Sequence, residues 1–202
     1  ATGARACDLG VVPDDLAATR AALRAAAEQH DLIITSGGVS VGEEDHLRNA
    51  VLAEGGLDFW ALAIKPGKPF VFGWIHRADG SRALYMGLPG NPVASFVTFL
   101  MLVRPVLGLL AGEGWHLPQA VSLVADFSWP KPDKRREFLR ARLNEQGRVV
   151  LHPHQGSGVL SSAAWAEGVV DLPSGTIVQP GDPVKFISMA ELVQPSISAR
   201  QP

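Results

Sequence analysis

The sequence predicts an α/β domain, with helices on the faces of a mostly parallel sheet, followed by a small β-barrel. Three observations carry this prediction. Up to about residue 110, short apolar runs alternate with helical periods. Beyond Trp115 no long helical period survives, and short β-like runs alternate with turns. Between the two lies the glycine-rich break Ala111–Gly114 ("AGEG"). At 202 residues, with 47% hydrophobic residues, 21 glycines and 15 prolines, the chain suits two modest, loop-punctuated units with packed cores.

The elements follow in order. Ala4–Val11 is short and apolar enough for a strand, and Pro13-Asp14-Asp15 supplies helix-start chemistry for the alanine-rich Leu16–Gln29. Asp31–Thr35 ("DLIIT") is a near-continuous apolar run, as expected of a strand covered on both faces. After the loop "SGGVSVG", Leu47, Ala50, Val51 and Glu54 carry a helical period, and Gly55-Gly56 stops it in the manner of a left-handed cap. Phe59–Ile64, Phe70–Ile75 and Ala83–Met86 read as strands, the last two joined by the turn Arg77–Gly80. Asn91 suits a helix cap and Pro92 a first helical position, starting a helix that runs to about Leu110. In the second half Val121–Phe127, Glu137–Leu143, Arg148–His152, Thr176–Val178 and Val184–Ser188 read as strands, with a helical turn or two in Ser157–Ala166.

The formal net charge of −2 gives no overall attraction to nucleic acid or acidic lipid, so any anion binding must be local. The single cysteine, Cys7, excludes an internal disulfide and is expected to be a small buried apolar residue. No apolar run approaches the roughly 20 residues of a membrane span, and the start lacks a signal-peptide apolar region. The expectation is a soluble, cytoplasmic protein with residues missing upstream.

Three loops could carry chemistry. "TSGGVSVGEED" lies between a strand and a helix, where ligands of open α/β sheets bind and helix N–H groups face an anion. Gly37, Gly38 and Gly42 would allow close backbone approach to a phosphate, and Ser36 and Ser40 offer hydroxyls. A plain turn is the competing reading, and the spacing matches neither a Walker loop nor a dinucleotide fingerprint. Asp45 either stabilises the helix start through the macrodipole or helps to hold Mg²⁺ beside a phosphate. "KPGKP" places Lys65 and Lys68 on a proline-stiffened turn at a strand end, as solvated lysines or as donors to an oxyanion. "LPGNP" (Leu88–Pro92) is a rigid turn with a second anion-friendly helix start. His152 and His154 lack a third metal ligand and read as surface residues. The basic cluster Lys131, Lys134, Arg135, Arg136, Arg140 and Arg142, interleaved with Asp133 and Glu137, reads as a solvated face.

"DLIITSGGVSVGEED", "FWALAIKPGKPFVFG", "GLPGNPVASF" and "GSGVLSSAAWAEGVVDLP", in that order, resemble the MoeA family of molybdopterin molybdenumtransferases, which includes the gephyrin E domain. The resemblance implies an N-terminally incomplete MogA-like three-layer α/β domain over residues 1–113 and a C-terminal β-barrel over 116–197. It implies insertion of molybdate into adenylylated molybdopterin with release of AMP and use of Mg²⁺. It also implies a homodimer, and a MogA-type adenylyltransferase as a further partner. Carried over by motif, Ser36, Gly37, Gly38, Ser40 and Gly42 form the phosphate loop, and Asp45 is a catalytic or metal-linked carboxylate. Lys65 and Lys68 meet anionic groups; Pro89, Gly90, Asn91 and Pro92 shape the pocket; Asp14 matches a further acidic position. Ala61 and Ala94 depart from the pattern, where many members carry a cation and a serine. Two other functions stay open: molybdopterin adenylyltransferase, against which the barrel and "KPGKP" argue, and a non-catalytic gephyrin-like scaffold.

Overall fold

The structure, a computed structural model, describes residues 3–37, 39 and 46–193. Two compact units emerge: Arg5–Leu62 with Gly67–Asn91, and Ala63–Pro66 with Pro92 onward.

In the first unit, Asp15 caps α1 (Leu16–Gln29) by accepting the Ala18 N–H at 2.7 Å. The buried residues of α1, Leu23, Ala26 and Ala27, fall on one helical face. Arg20 and Arg24 both reach Glu54 Oε1, at 2.6 and 2.7 Å, and so tie α1 to α2 (His46–Glu54). The sheet contains β1 (Leu32–Ser36), β2 (Gly55–Ala61), β4 (Pro69–His76) and β5 (Arg82–Leu88), whereas β3 (Ile64–Lys65) belongs to the second unit. Its order is β1-β5-β4-β2. Only β1 and β5 are parallel; β4 is antiparallel to both β5 and β2. Among the described residues the sheet is therefore mixed rather than mostly parallel, because the short turn Arg77–Gly80 makes β4 and β5 a hairpin. Ile33, Val71, Ile75, Ala83 and Tyr85 pack against the apolar faces of α1 and α2.

Two further expectations are corrected here. Ala4–Val11 forms no strand: its residues are exposed, Cys7 among them, and Gly10 donates to Asp8 Oδ1 in a local turn. Gly55 and Gly56 are not a left-handed cap but the first residues of β2, and the need for glycine is steric. A Cβ on Gly55 would stand 1.8 Å from Trp74 O, and one on Gly56 would stand 2.3 Å from the Trp74 ring.

The second unit starts with α3 (Pro92–Thr98), a π-helical turn (Phe99–Val103) and α4 (Arg104–Leu110), which form one helical stretch. Pro105 lacks an N–H and its ring crowds the preceding carbonyls, which accounts for the widened turn before it. This 19-residue stretch, with mean hydropathy 2.1, is apolar and long enough to cross a membrane by composition, contrary to the reading of the sequence. More than half of it is buried inside the protein: Val93, Val97 and Leu100 pack on Phe138, Val169, Ile187 and Leu192. By compactness this helix therefore goes with the barrel.

The barrel contains β6 (Val121–Val124), β7 (Arg136–Leu143), β8 (Val149–Leu151), β9 (Gly168–Leu172) and β10 (Pro183–Ser188), with α5 (Leu160–Trp165) and α6 (Met189–Val193). Strands pair in the order β3-β7-β9-β10-β6, and β8 also pairs with β7. A bridge between Ala125 and Val149 joins the end of β6 to β8 and closes the barrel. Leu139, Ala141, Val170, Leu172, Val184 and Phe186 point inward. The alternate residues Phe138, Val169 and Ile187 meet the helices, so these strands are apolar on both faces.

Candidate functional site

In the first unit the parallel strands β1 and β5 end at the same sheet edge, the position where open α/β sheets bind ligands. Ser36 and Gly37 leave β1, and Pro89 and Gly90 leave β5. The Gly37 N–H donates to Leu88 O at 3.1 Å, and the Ser36 hydroxyl reaches Pro89 O at 3.4 Å. Gly37 has φ +85°, and a Cβ on Gly90 would lie 3.4 Å from Gly37 Cα, so the two turns meet backbone to backbone. Val39 is 2% exposed and fills the space over Gly87, where a Cβ would stand 2.7 Å from Val39 Cγ1. Below it, the Tyr85 and Thr35 hydroxyls share a hydrogen bond of 2.7 Å between β5 and β1. The glycine loop is thus anchored at its start by packing and main-chain bonds.

The structure brings Ser36, Gly37, Pro89 and Gly90 together, with Asn91 next in the chain. Gly38, Ser40, Gly42 and Asp45 lie outside the described residues. Asp14 is exposed, one residue before the Asp15 cap, and Lys68 is exposed with its carbonyl accepting the Leu62 N–H at 2.9 Å.

Lys65 belongs to the second unit, on β3 beside β7. Its ammonium stands 3.0 Å from Glu137 Oε1 and 3.2 Å from Asp133 Oδ2. Partial burial works against the Lys65 charge, but the contacts with Glu137 and Asp133 outweigh it and hold its pKa above the ordinary value. The Arg135 side chain, with its backbone N–H, binds Asp133 and keeps that carboxyl well below the usual range. Glu137 also accepts the Trp129 indole N–H at 2.9 Å. Lys65, Pro66, Trp129, Glu137, Leu139, Arg140, Gln155 and Gly156 line a cavity of about 260 Å³. That space exceeds several waters, at about 30 Å³ each.

Arg140 differs from the other cations of this cluster. It is 1% exposed, and among the described residues no carboxylate pairs with it. Its Nε donates to Ser162 Oγ at 3.2 Å, Nη1 to Phe138 O at 3.4 Å and Nη2 to Gly156 O at 3.3 Å, all neutral acceptors. Burial pushes its pKa down to about 10, which still leaves it charged at neutral pH. A buried charge without a counter-ion is costly, and an anion in the adjoining cavity would offset that cost.

The expectation that the basic cluster is a solvated face therefore fails at Arg140. Arg136 stays exposed as expected, and its guanidinium grips the buried Asp171 at 2.6 and 2.5 Å. The one signal in the sequence was register: in "REFLRARL" Arg140 falls between the inward residues Leu139 and Ala141, on the side of Phe138. His154 is exposed as expected, whereas His152 is half-buried, its ring edge-on to Trp165 at 5.1 Å; the His154 N–H donates to His152 Nδ1 at 3.1 Å. Among the described residues no group of three or more His, Cys, Asp or Glu side chains is gathered for a metal.

The described residues thus present a backbone-built turn pair on an α/β sheet and, in the barrel, a cavity lined by Lys65, Glu137 and Arg140. Comparison with known proteins gives the family. Residues 1–108 match the "Probable molybdopterin binding domain" family, and residues 122–189 match the MoeA C-terminal region, domain IV. The chain belongs to the MoeA family. It is 42% identical over 77% of its length to a molybdopterin molybdenumtransferase of Haemophilus influenzae, covering 38% of that protein. It is 34% identical over 84% of its length to the molybdenum cofactor synthesis protein cinnamon of Drosophila melanogaster, covering 28% of it. Among solved structures, a molybdopterin biosynthesis MoeA protein of Pyrococcus horikoshii is 28% identical with a TM-score of 0.68, over 89% of this chain and 42% of that one. The chain spans less than half the length of the curated relatives named here.

Proposed function

We propose that this chain acts in molybdenum cofactor biosynthesis as part of a cytoplasmic molybdopterin molybdenumtransferase, inserting molybdate into adenylylated molybdopterin with release of AMP. The observation that carries this reading is Arg140, a buried guanidinium that no carboxylate pairs among the described residues, lining a cavity together with Lys65 and its partner Glu137. A tetrahedral oxyanion is the ligand such donors suit, since both cations stay charged at neutral pH. The glycine loop from Ser36 to Gly42 and the Pro89–Pro92 turn would take the phosphate side of the pterin substrate, through backbone N–H groups at the ends of β1 and β5. Lys68 would add a point charge, and Asp14 and Asp45 would contribute carboxylates.

Mg²⁺ would be held through Asp45, which lies outside the described residues. A homodimer, supplied by a MogA-type adenylyltransferase, completes the reading.

The test supplies purified protein with adenylylated molybdopterin and molybdate and follows AMP and cofactor together. Equimolar release is expected, with Asp45→Ala losing turnover at every molybdate concentration. Synthesis of adenylylated molybdopterin from ATP, without molybdate insertion, would move the assignment to the adenylyltransferase.

A further inference from the structure

The cavity lies where the sheet of the barrel splits. On one edge of β7, β3 covers Arg136 and Glu137, and β8 covers Ala141 to Leu143. Between them, residues 138–140 have no strand beside them on that edge among the described residues. β9 pairs along the opposite edge as far as Ala141. An uncovered stretch of main chain in a buried setting needs other partners, and here it finds side chains.

At Arg140 the partner is the amide of Gln155. Its Oε1 accepts the Arg140 N–H at 2.9 Å, and its Nε2 donates to Arg140 O at 2.8 Å. Both backbone groups of one residue are thus taken by one planar amide, as a neighbouring strand would take them. The same Nε2 donates to His152 O at 3.0 Å, and the His152 N–H donates to Arg140 O at 3.0 Å. The gap is therefore closed by the Gln155 amide and the His152 N–H, and Leu139, Arg140, Gln155 and Gly156 line the cavity beside it. The Arg140 guanidinium turns back within the gap, to Phe138 O and to Gly156 O of the residue after Gln155.

We propose that Gln155 is a positioning residue for oxyanion binding: its side-chain amide replaces the missing strand at the Arg140 backbone and so sets the main chain from which the guanidinium, held by Ser162, Phe138 O and Gly156 O, serves the cavity that Arg140 lines. This rests on the reading of that cavity as an oxyanion site. The ligand class is a tetrahedral metal oxyanion, and Gln155 acts through Arg140.

The experiment titrates the purified chain with molybdate by calorimetry and follows thermal unfolding in parallel. Gln155→Met keeps length and volume but removes the amide; molybdate affinity should fall about tenfold or more, as it does when groups that orient a ligand are removed. Gln155→Glu keeps the acceptor for the Arg140 N–H, loses both donors and adds a negative charge. It should bind molybdate more weakly still, and it serves if the methionine variant does not fold. Affinity within twofold of the parent in either folded variant would overturn the proposal. So would a loss that high molybdate cannot restore in turnover, since a positioning role raises the molybdate KM and leaves kcat. If Arg140→Met binds molybdate as the parent does, the cavity reading itself fails; if only Arg140→Met weakens binding, Gln155 alone is misassigned.

Discussion

In the function proposed above, the two units would meet anions in opposite ways. At the edge of the first unit the main chain does the work: Gly37 and Gly90 meet backbone to backbone, and Val39 pins the loop over Gly87. In the second unit side chains do it, with Lys65 from β3, Glu137 and Arg140 from β7, and Gln155 from the following loop around one cavity. A backbone site is made by conformation and close approach, and tolerates little added volume. A side-chain site is made by charge and its compensation, and should respond to changes of charge at constant volume.

The largest effect that would sharpen this contrast is at Lys65. Lys65→Met leaves Glu137, 2% exposed, with the Trp129 indole but without its cation. Stability should fall by about 2–3 kcal/mol, the cost of leaving the buried Glu137 carboxylate without its half-exposed partner. Adding Glu137→Gln should recover most of that loss in a urea melt. If the double variant is no better than the single, charge compensation is not what Lys65 supplies.

The first unit should instead respond to a single methyl group. In Gly87→Ala the new Cβ would meet Val39 Cγ1 at 2.7 Å, the Tyr85 hydroxyl at 3.0 Å and Val71 Cβ at 3.2 Å. A loss of about 1–2 kcal/mol is expected, with weaker AMP binding because the start of the loop is lifted. A variant as stable as the parent, with unchanged AMP affinity, would remove the packing account of that loop.

The smallest effect concerns pH. Arg135 and Lys65 hold the Asp133 pKa below its unfolded value, so the ionised group stabilises the fold above the unfolded pKa, and that benefit is lost as pH falls through the folded one. Asp133→Asn should lower the melting temperature slightly at neutral pH. The gap should narrow only once the pH has dropped below the ordinary carboxylate range. A gap that closes between pH 7 and 5 would point to another group.

The same contrast explains what was legible. "DLIITSGG" and "GLPGNP" announce their site because glycine and proline encode backbone geometry locally, so the placement of Ser36, Gly37, Pro89 and Gly90 followed from residue type. The strands β4 and β5 are legible with the turn between them, and a turn that short makes them antiparallel, which a mostly parallel sheet does not accommodate. In the barrel, β9 escaped notice because "GVVDL" is short and carries Asp171, a charge that only its pairing with Arg136 makes acceptable in a buried strand. Arg140 was hidden among exposed cations. Its distinction is the lack of a carboxylate partner among the described residues, and no local pattern encodes that.

The central claim is that Arg140 is kept for an anion and not for the fold. Arg140→Met tests it most directly, with molybdate binding and thermal unfolding measured on the same sample. Replacing a buried, uncompensated charge with an apolar chain of similar length is expected to leave the melting temperature unchanged or higher, while molybdate affinity falls by about 2 kcal/mol or more, some thirtyfold. A clear drop in melting temperature with molybdate affinity intact would contradict the account, because Arg140 would then be a structural residue.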